Sequence, residues 1–479
     1  MKTALGLVAG LLAFAVSATA APKQKQDVLV KLNAGFVETQ APFQTLENQG
    51  AKVEKLNDSW FRVQTPRHVG LSVLTKSAAV EFVQPNYKVK LLEDYTIQDP
   101  LRRAAMARFV SRNPELRHLA KQDNLPIPDA PQSTSGLDPL FSKQWGMKDI
   151  GVESAWNETK GSPDVVVAVI DTGVDYTHED LLPNMWRNKG EIPNNGIDDD
   201  GNGFIDDVVG WDFVSNDNKP YDLAVDTLDL LFKGGNPGHG THCAGNVAAR
   251  GDNGKGIAGV APNVKIMALR FISEKGQGTT ADAIKSIQYA VNNGAKVLSN
   301  SWGSEGEEPG APENQALRDA IQYAQDKGVL FIAAAGNGHK GVGYDNDSDK
   351  LPAYPASYDH DIIVSVAALD VKNQLGSFSN WGAKTVDIGA PGVAVFSTTV
   401  DSKYSDVVLD KYGFKIMWDG TSMATPHVAG AAALYWSANP EKSWQEVKAA
   451  LLGSAAKIDA LNGKAVSNGK LDVKALLDF

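Results

Sequence analysis

Asp419-Gly420-Thr421-Ser422-Met423-Ala424-Thr425-Pro426-His427-Val428-Ala429-Gly430 joins a polar turn to a run of small and apolar residues that reads as a buried helix. Ser422 stands where the turn becomes helix. A hydroxyl there sits on a sharp turn, beside the positive end of a helix dipole that favours developing negative charge. The plain structural reading of such a serine is an N-cap. A serine hydroxyl alone is a weak nucleophile, so a catalytic reading requires a base and a group that orients the base.

Outward from this stretch, from about Leu137 to Phe479, continuous apolar runs alternate with helical patterns. Val165 to Ile170, Lys265 to Arg270, Lys296 to Ser301, Val329 to Ala335 and Ile362 to Ala368 have the character of strands buried on both faces. Between and after them, Gly240 to Ala249, Ala281 to Asn293, Glu313 to Lys327, Thr421 to Trp436 and Trp444 to Leu452 read as helices. This alternation predicts an α/β domain, a mostly parallel sheet with helices on both faces.

In an open parallel sheet, ligands bind beyond the carboxyl ends of the strands. Asp171 ends one strand and is followed by Thr172-Gly173. A carboxylate there can orient a histidine, although Asp also begins turns. Gly238-His239-Gly240-Thr241-His242-Cys243 opens a helix of small residues and presents His239 from its first turn. His239, His242 and Cys243 also have helical spacings that would let them share a metal, but no fourth ligand stands at recognisable spacing. His242 and His427 read as packed histidines, and Cys243 as a small buried residue. Asn337 ends another strand, where a side-chain amide can donate to an oxyanion. Gly336 to Gly341 satisfies G-x-G-x-x-G, but acidic loop follows instead of a helix, so no dinucleotide cofactor is expected.

The N-terminal third has a different organisation. Lys2, the apolar run Ala4 to Val16 and Ala18-Thr19-Ala20 describe a secretory signal peptide, residues 1–20, cut after Ala20. Residues 21–92 hold a small βαββαβ domain of the ferredoxin-like kind: Asp27 to Leu32, a helix from Thr39 to Gly50, a hairpin around Asn57-Asp58, a helix from Leu71 to Ala78, then extended chain to Leu91. Residues 93–136 are basic and proline-bearing, and read as a solvated linker removed on maturation. The net charge of −11 argues against nucleic acid or an anionic membrane as the main partner. No later segment is long and apolar enough for stable membrane insertion. Cys243 is the one cysteine, so a secreted chain must be stapled by something other than an internal disulfide, and bound calcium is the first candidate.

Asp198-Asp199-Asp200-Gly201-Asn202-Gly203-Phe204-Ile205-Asp206-Asp207 supplies that candidate. Asp198, Asp200 and Asn202 stand at positions 1, 3 and 5 of a calcium loop, with Gly203 at 6, the Phe204 carbonyl at 7 and Asp206 at 9. Position 12 is Val209 instead of Glu, and Asp207 is the nearest substitute. The plain alternative is a solvated acidic turn.

Asp, then His, then Ser along an α/β chain is the order of subtilisin-type proteases. Val169-Ile170-Asp171-Thr172-Gly173, His239-Gly240-Thr241-His242, Ala335-Gly336-Asn337 and Gly420-Thr421-Ser422-Met423-Ala424 resemble the four signature motifs of the subtilase family, over Leu137 to Phe479. Cys243 is placed as in proteinase-K-like members, and the Asp27 to Leu92 domain resembles the family's inhibitory propeptide. The resemblance implies a serine endopeptidase with Asp171, His239 and Ser422 as triad and Asn337 as oxyanion donor. It implies that substrate lies along Ser301-Trp302-Gly303 and Gly276-Gln277-Gly278. Ala335 and Ala353 would line the pocket for the residue before the cut, leaving room for a large apolar side chain, while Glu305, Glu307 and Glu308 would favour a basic one. A second calcium site would draw on Gln144, Asp180, Asp252 and Asn253. Protein or peptide substrates and the chain's own propeptide are then the partners. A monomer without organic cofactor, outside the cytoplasm, is expected.

Overall fold

The computed structural model describes residues 26–112, 126–128, 136, 138–304, 313–411 and 413–479. The expected signal peptide, most of the linker beyond Arg112, and Glu305, Glu307 and Glu308 lie outside the described residues. The chain divides into two units, one ending at Pro85 and one beginning at Asn86.

In the first unit, β1 (Gln26–Leu32), β2 (Lys52–Lys55), β3 (Trp60–Thr65) and β4 (Val80–Pro85) form an antiparallel sheet in the order β2-β3-β1-β4. This is the split βαββαβ arrangement. The turn between β2 and β3 is held by Asn57, whose Oδ1 accepts from the N–H groups of Ser59 and Trp60. Val30, Phe43, Leu46, Phe61, Val63 and Leu74 make its core. The first predicted helix is shorter than expected: a 3₁₀ turn Glu38–Gln40 and then Phe43–Glu47. Pro42 separates the two, because its ring cannot donate into a helix and disfavours helical backbone at Ala41.

The expected end of this domain at Leu92 differs from the observed boundary. From Asn86 the chain packs with the second unit. There β5 (Lys88–Lys90) pairs antiparallel with β9 (Gln277–Thr279). The Pro100–Arg112 helix, capped by Asp99 Oδ1 on the N–H groups of Leu101 and Arg102, buries Met106 and Val110 against Leu228, Leu231 and Leu409. So part of the expected solvated linker is docked structure.

The second unit is built on a nine-stranded sheet. Its strands are β6 (Val166–Asp171), β7 (Gly210–Asp212), β8 (Lys265–Arg270), β10 (Val297–Asn300), β11 (Leu330–Ala334), β12 (Ile363–Leu369), β13 (Ile388–Pro391) and two short edge pieces, Ala456–Lys457 and Gly469–Lys470. From the Gly469–Lys470 edge the order is β13-β12-β11-β10-β6-β8-β7, every pair parallel; only Ala456–Lys457 is antiparallel. The six residues of β6 are all buried, which explains its unbroken Val/Ala/Ile run.

The Thr421–Ala438 helix lies in the middle of this unit, buried from Thr421 to Trp436. Its small residues are a packing requirement: a Cβ on Gly430 would meet the Val260 Cβ at 2.8 Å and the Val247 carbonyl oxygen at 3.0 Å. Pro426 sits inside this helix and has no N–H for the Ser422 carbonyl one turn earlier. That carbonyl instead accepts from Ser301 Oγ at 2.9 Å, with the Cys243 thiol at 3.5 Å. The proline thus ties the turn carrying Ser422 to the end of β10.

Candidate active site

Asp171 is the last residue of β6, fully buried, and its Oδ1 accepts the Thr172 N–H at 2.7 Å. His239 begins the His239–Ala248 helix, after Gly238 in the left-handed region (φ 99°). The Asn236 side-chain oxygen accepts from the N–H groups of Gly238 and His239, which fixes the first turn. His239 Nδ1 then stands 2.8 Å from Asp171 Oδ1, both side chains buried. Gly240 permits this approach, since a Cβ there would lie 2.1 Å from the Gly173 carbonyl oxygen.

One buried carboxylate that the sequence did not single out organises this corner. Asp222 accepts from Thr172 Oγ1, Asn236 Nδ2, Thr241 Oγ1 and the Thr241 N–H, all between 2.6 and 2.8 Å. Burial pushes its carboxyl up to about 6, against the pull of those hydrogen bonds. Leaving such an ion unpaired would cost several kcal/mol, so the four donors are what allow it to stay. They also connect the end of β6 to the start of the His239 helix. Nothing in the Tyr221-Asp222-Leu223 sequence announces this, because its partners come from three separate segments.

Asn337 follows β11, and its amide orientation is set by Thr421, whose N–H and Oγ1 both donate to Asn337 Oδ1 at 2.9 Å. Nδ2 is thereby left as the outward donor. It donates to Glu93 Oε1 at 2.9 Å. Glu93 Oε2 lies 3.4 Å from His239 Nε2, and the Glu93 side chain is only 4% exposed. Ser422 Oγ donates to the Ser301 carbonyl at 3.2 Å. Burial disfavours a charged His239, but the Asp171 and Glu93 carboxylates outweigh it, and its pKa is raised well above the ordinary value.

The chain before Glu93 runs along both expected edges. Val89 is opposite Gly278 in the β5–β9 pair, and Lys90 exchanges both main-chain hydrogen bonds with Gly303 at 3.0 and 3.1 Å. The Leu91 N–H donates to the Gly276 carbonyl. Leu92 is buried, and its Cδ2 would lie 3.5 Å from a Cβ placed on Gly303. Trp302 is fully buried with its ring edge-on to Phe271 at 4.9 Å. Ala335 and Ala353 are buried, and a Cβ on Gly336 would lie 2.8 Å from that of Ala353.

Residues 162–471 match the family model described as Subtilase family. The chain belongs to this family. Its subtilase domain is that of a serine endopeptidase. It is 37% identical over 322 residues to thermitase of Thermoactinomyces vulgaris, covering 67% of this chain and 91% of that protein. It is 36% identical over 315 residues to a thermophilic serine proteinase of Bacillus sp. (strain AK1), covering 66% of this chain but only 62% of that longer relative. Among solved structures it is similar to that of fervidolysin from Fervidobacterium pennivorans, described as a keratinolytic enzyme related to subtilisin. The TM-score is 0.65 at 25% identity, over 95% of this chain and 61% of the other.

The remaining histidines of the subtilase motifs are not brought together with His239. His242 stacks on Trp418 (centroids 4.2 Å apart) with Nε2 on the Val395 carbonyl, and burial lowers its pKa to about 3. His427 Nδ1 bonds the Met423 carbonyl, and burial lowers it to about 4. Cys243 is buried beside His239, and burial pushes its thiol up.

In the acidic loop, carboxylate oxygens of Asp198, Asp200 and Glu191 lie within 4.8 Å of one another. Glu191, not singled out from the sequence, also accepts from the N–H groups of Asp199, Asp200 and Asp206. Asp198 takes the N–H groups of Gly201, Asn202 and Gly203, which winds the loop around its carboxylate. The Asn202 side-chain oxygen takes the Phe204 N–H, and the Phe204 ring packs edge-on to Trp211 and Tyr289. Asp206 and Asp207 lie outside the three-carboxylate cluster. Asp206 is spent on the N–H groups of Asn195 and Gly196, and Asp207 on Asn188, Asn202 and the Tyr289 hydroxyl.

The second expected calcium set is only partly assembled. Asp180 accepts from Asn253 Nδ2 and the Ile257 N–H, while Gln144 is paired both ways with the Ala258 backbone. Asp252 is turned to an ion pair with Lys160, and Asp138 takes the N–H groups of Asp252 and Asn253.

Proposed function

We propose that the protein is a secreted serine endopeptidase, made as a self-inhibited zymogen and stabilised by calcium. Ser422 Oγ attacks the peptide carbonyl, and His239 Nε2 takes its proton and later returns it to the leaving amine. Asp171 holds the imidazole through Nδ1 and stabilises the imidazolium. Asn337 Nδ2 and the Ser422 N–H receive the oxyanion. The reading rests above all on one observation: a carboxylate of the chain itself, Glu93, lies between the Asn337 amide and His239 Nε2, where the charge of a transition state would develop.

The same observation supports self-inhibition. Residues 88–92 occupy the strand-addition position of a substrate. The Glu93 carboxylate, 3.4 Å from His239 Nε2, favours the charged imidazole and so opposes proton transfer from Ser422. The first self-cleavage then falls between Leu92 and Glu93, and the burial of Leu92 beside Gly303 favours an apolar residue before the cut. Secretion is supported by the pattern of residues 1–20.

Glu191, Asp198 and Asp200 are a donor set of hard carboxylate oxygens, which fits calcium. A bound ion would neutralise three like charges and pin the loop to the Trp211 and Tyr289 rings. The Asp180 site fits less well, because Asp252 is paired with Lys160.

The test is labelling by a fluorophosphonate probe, followed by digestion of a denatured protein. Labelling of the processed wild type at Ser422, absent in Ser422→Ala, is expected. A processed chain that neither labels nor digests would sink the reading.

A further inference from the structure

The segment that follows the proposed cut does not leave the subtilase unit. Tyr95 is buried, and two residues later the Ile97 N–H donates to the Leu231 carbonyl at 2.9 Å. The Pro100–Arg112 helix then lays Met106 and Val110, spaced one turn apart, on Leu228, Leu231 and Leu409. Phe232, Phe414 and Ile416 pack around them. The Arg102 guanidinium lies over the Phe414 ring at 4.9 Å, and Arg103 lies over the Phe232 ring at 5.6 Å while donating to the Phe232 carbonyl.

We infer that this surface, built by the Thr227–Lys233 helix and the Val407–Met417 hairpin, binds the part of a polypeptide substrate that follows the cut bond. Its ligand is a segment with an apolar residue about five positions past the bond, then an arginine-bearing helix that presents two apolar residues one turn apart. The inference rests on the endopeptidase reading and on removal of the Glu93–Gly136 segment. Three features carry it. The segment itself runs from Glu93 at His239 to Ile97 at Leu231 within four residues, so the surface lies within reach of the Ser422 turn. Its contacts are those of a binding site, a free-standing carbonyl acceptor at Leu231 and two aromatic faces that hold guanidinium groups. Departure of the segment would uncover Leu228, Leu231, Phe232, Leu409, Phe414 and Ile416 together, a patch of the kind that marks interaction sites on soluble proteins.

The experiment compares two internally quenched peptides with the full-length chain after it has processed itself to an N-terminus beyond Gly136, as read by intact mass. Both begin at Lys88 and carry Glu93→Ser; the short one stops at Tyr95 and the long one continues to Arg112. A KM about tenfold lower for the long peptide is expected, the size of a modest apolar docking contact. In Phe414→Ala and Ile416→Ala chains the long-to-short ratio of kcat/KM should fall toward one. Equal KM values in the wild type, or an advantage that survives both substitutions, would overturn the inference. Anisotropy of a labelled Asp94–Arg112 peptide reads the surface without turnover. Binding to a processed chain that cleaves neither peptide would keep the surface and reject the endopeptidase reading. Absence of binding would reject the surface.

Discussion

Two regions of this subtilase gather carboxylates, and they solve the problem of like charge differently. At the Asp171–His239 end of the sheet, the side chains of Asp171, Asp222 and Glu93 are buried, and each faces protein donors: His239, the Thr172–Asn236–Thr241 cluster and Asn337. In the Glu191–Asp207 loop, Asp198 is half-buried and Asp200 exposed, and both face backbone N–H groups that neutralise little of their charge. The first region is preorganised by strands and helices. The second is wound by turns, and a cation among its three converging oxygens would relieve their mutual repulsion.

Substitutions at the catalytic end should therefore cost activity with little loss of fold, and changes in the loop should do the reverse. The largest effect is expected for Ser422→Ala, a loss of kcat of roughly a million-fold, the scale known for the subtilisin nucleophile. Retained processing of that variant in a protease-free host would break the assignment. Asn337→Ala should lower kcat by about a hundred- to a thousand-fold with KM little changed, as for the matching donor in subtilisin. Glu93→Gln keeps the shape but removes the charge. It should speed first-order self-processing by about tenfold, the worth of one charge-assisted hydrogen bond, in a gel time course. An unchanged rate would mean that the carboxylate is not the brake.

In the loop, chelation or Asp198→Asn should lower the Tm of the Ser422→Ala chain by about 5 °C, with calcium restoring only the former. An unchanged Tm would show that the loop holds itself together as the catalytic end does. The smallest effect concerns pH. His242 and His427 have folded pKa values lowered from 6.5 to about 3 and about 4. Below 6.5 the unfolded chain binds protons that the folded chain refuses, so their stability contribution is whole above 6.5 and is lost as pH falls toward 4. Asp222, raised from 3.8 to about 6, acts oppositely, favouring the folded state at low pH and losing that contribution as pH rises through 6. His427→Gln in the Ser422→Ala chain should flatten the fall of Tm below pH 6.5.

The parallel strands were legible because burial on both faces leaves unbroken apolar runs such as Val166 to Ile170. The positions of Asp171, His239, Asn337 and Ser422 at or near element ends were legible because each stands where such a run or a small-residue helix begins or ends. The β7 strand and the Val407–Met417 hairpin were not: three residues, Gly210 to Asp212, carry no period, and Val407-Val408-Leu409 is broken by lysines and aspartates on a half-exposed pair. Ala51 to Leu56 and Trp60 to Gln64 were readable as a hairpin, since their partners are neighbours in sequence.

By itself, then, the sequence determined the local periods, the turn residues and the order of Asp, His and Ser, because these depend on neighbours along the chain. Only the tertiary structure decided that Asp222 braces the corner where Asp171 meets His239, that Glu191 joins Asp198 and Asp200, and that Glu93 lies on Asn337 and His239. A carboxylate's role is set by the donors that surround it after folding. For these three, the donors that decide it lie in other turns, strands and helices, up to 244 residues away for Glu93 and Asn337.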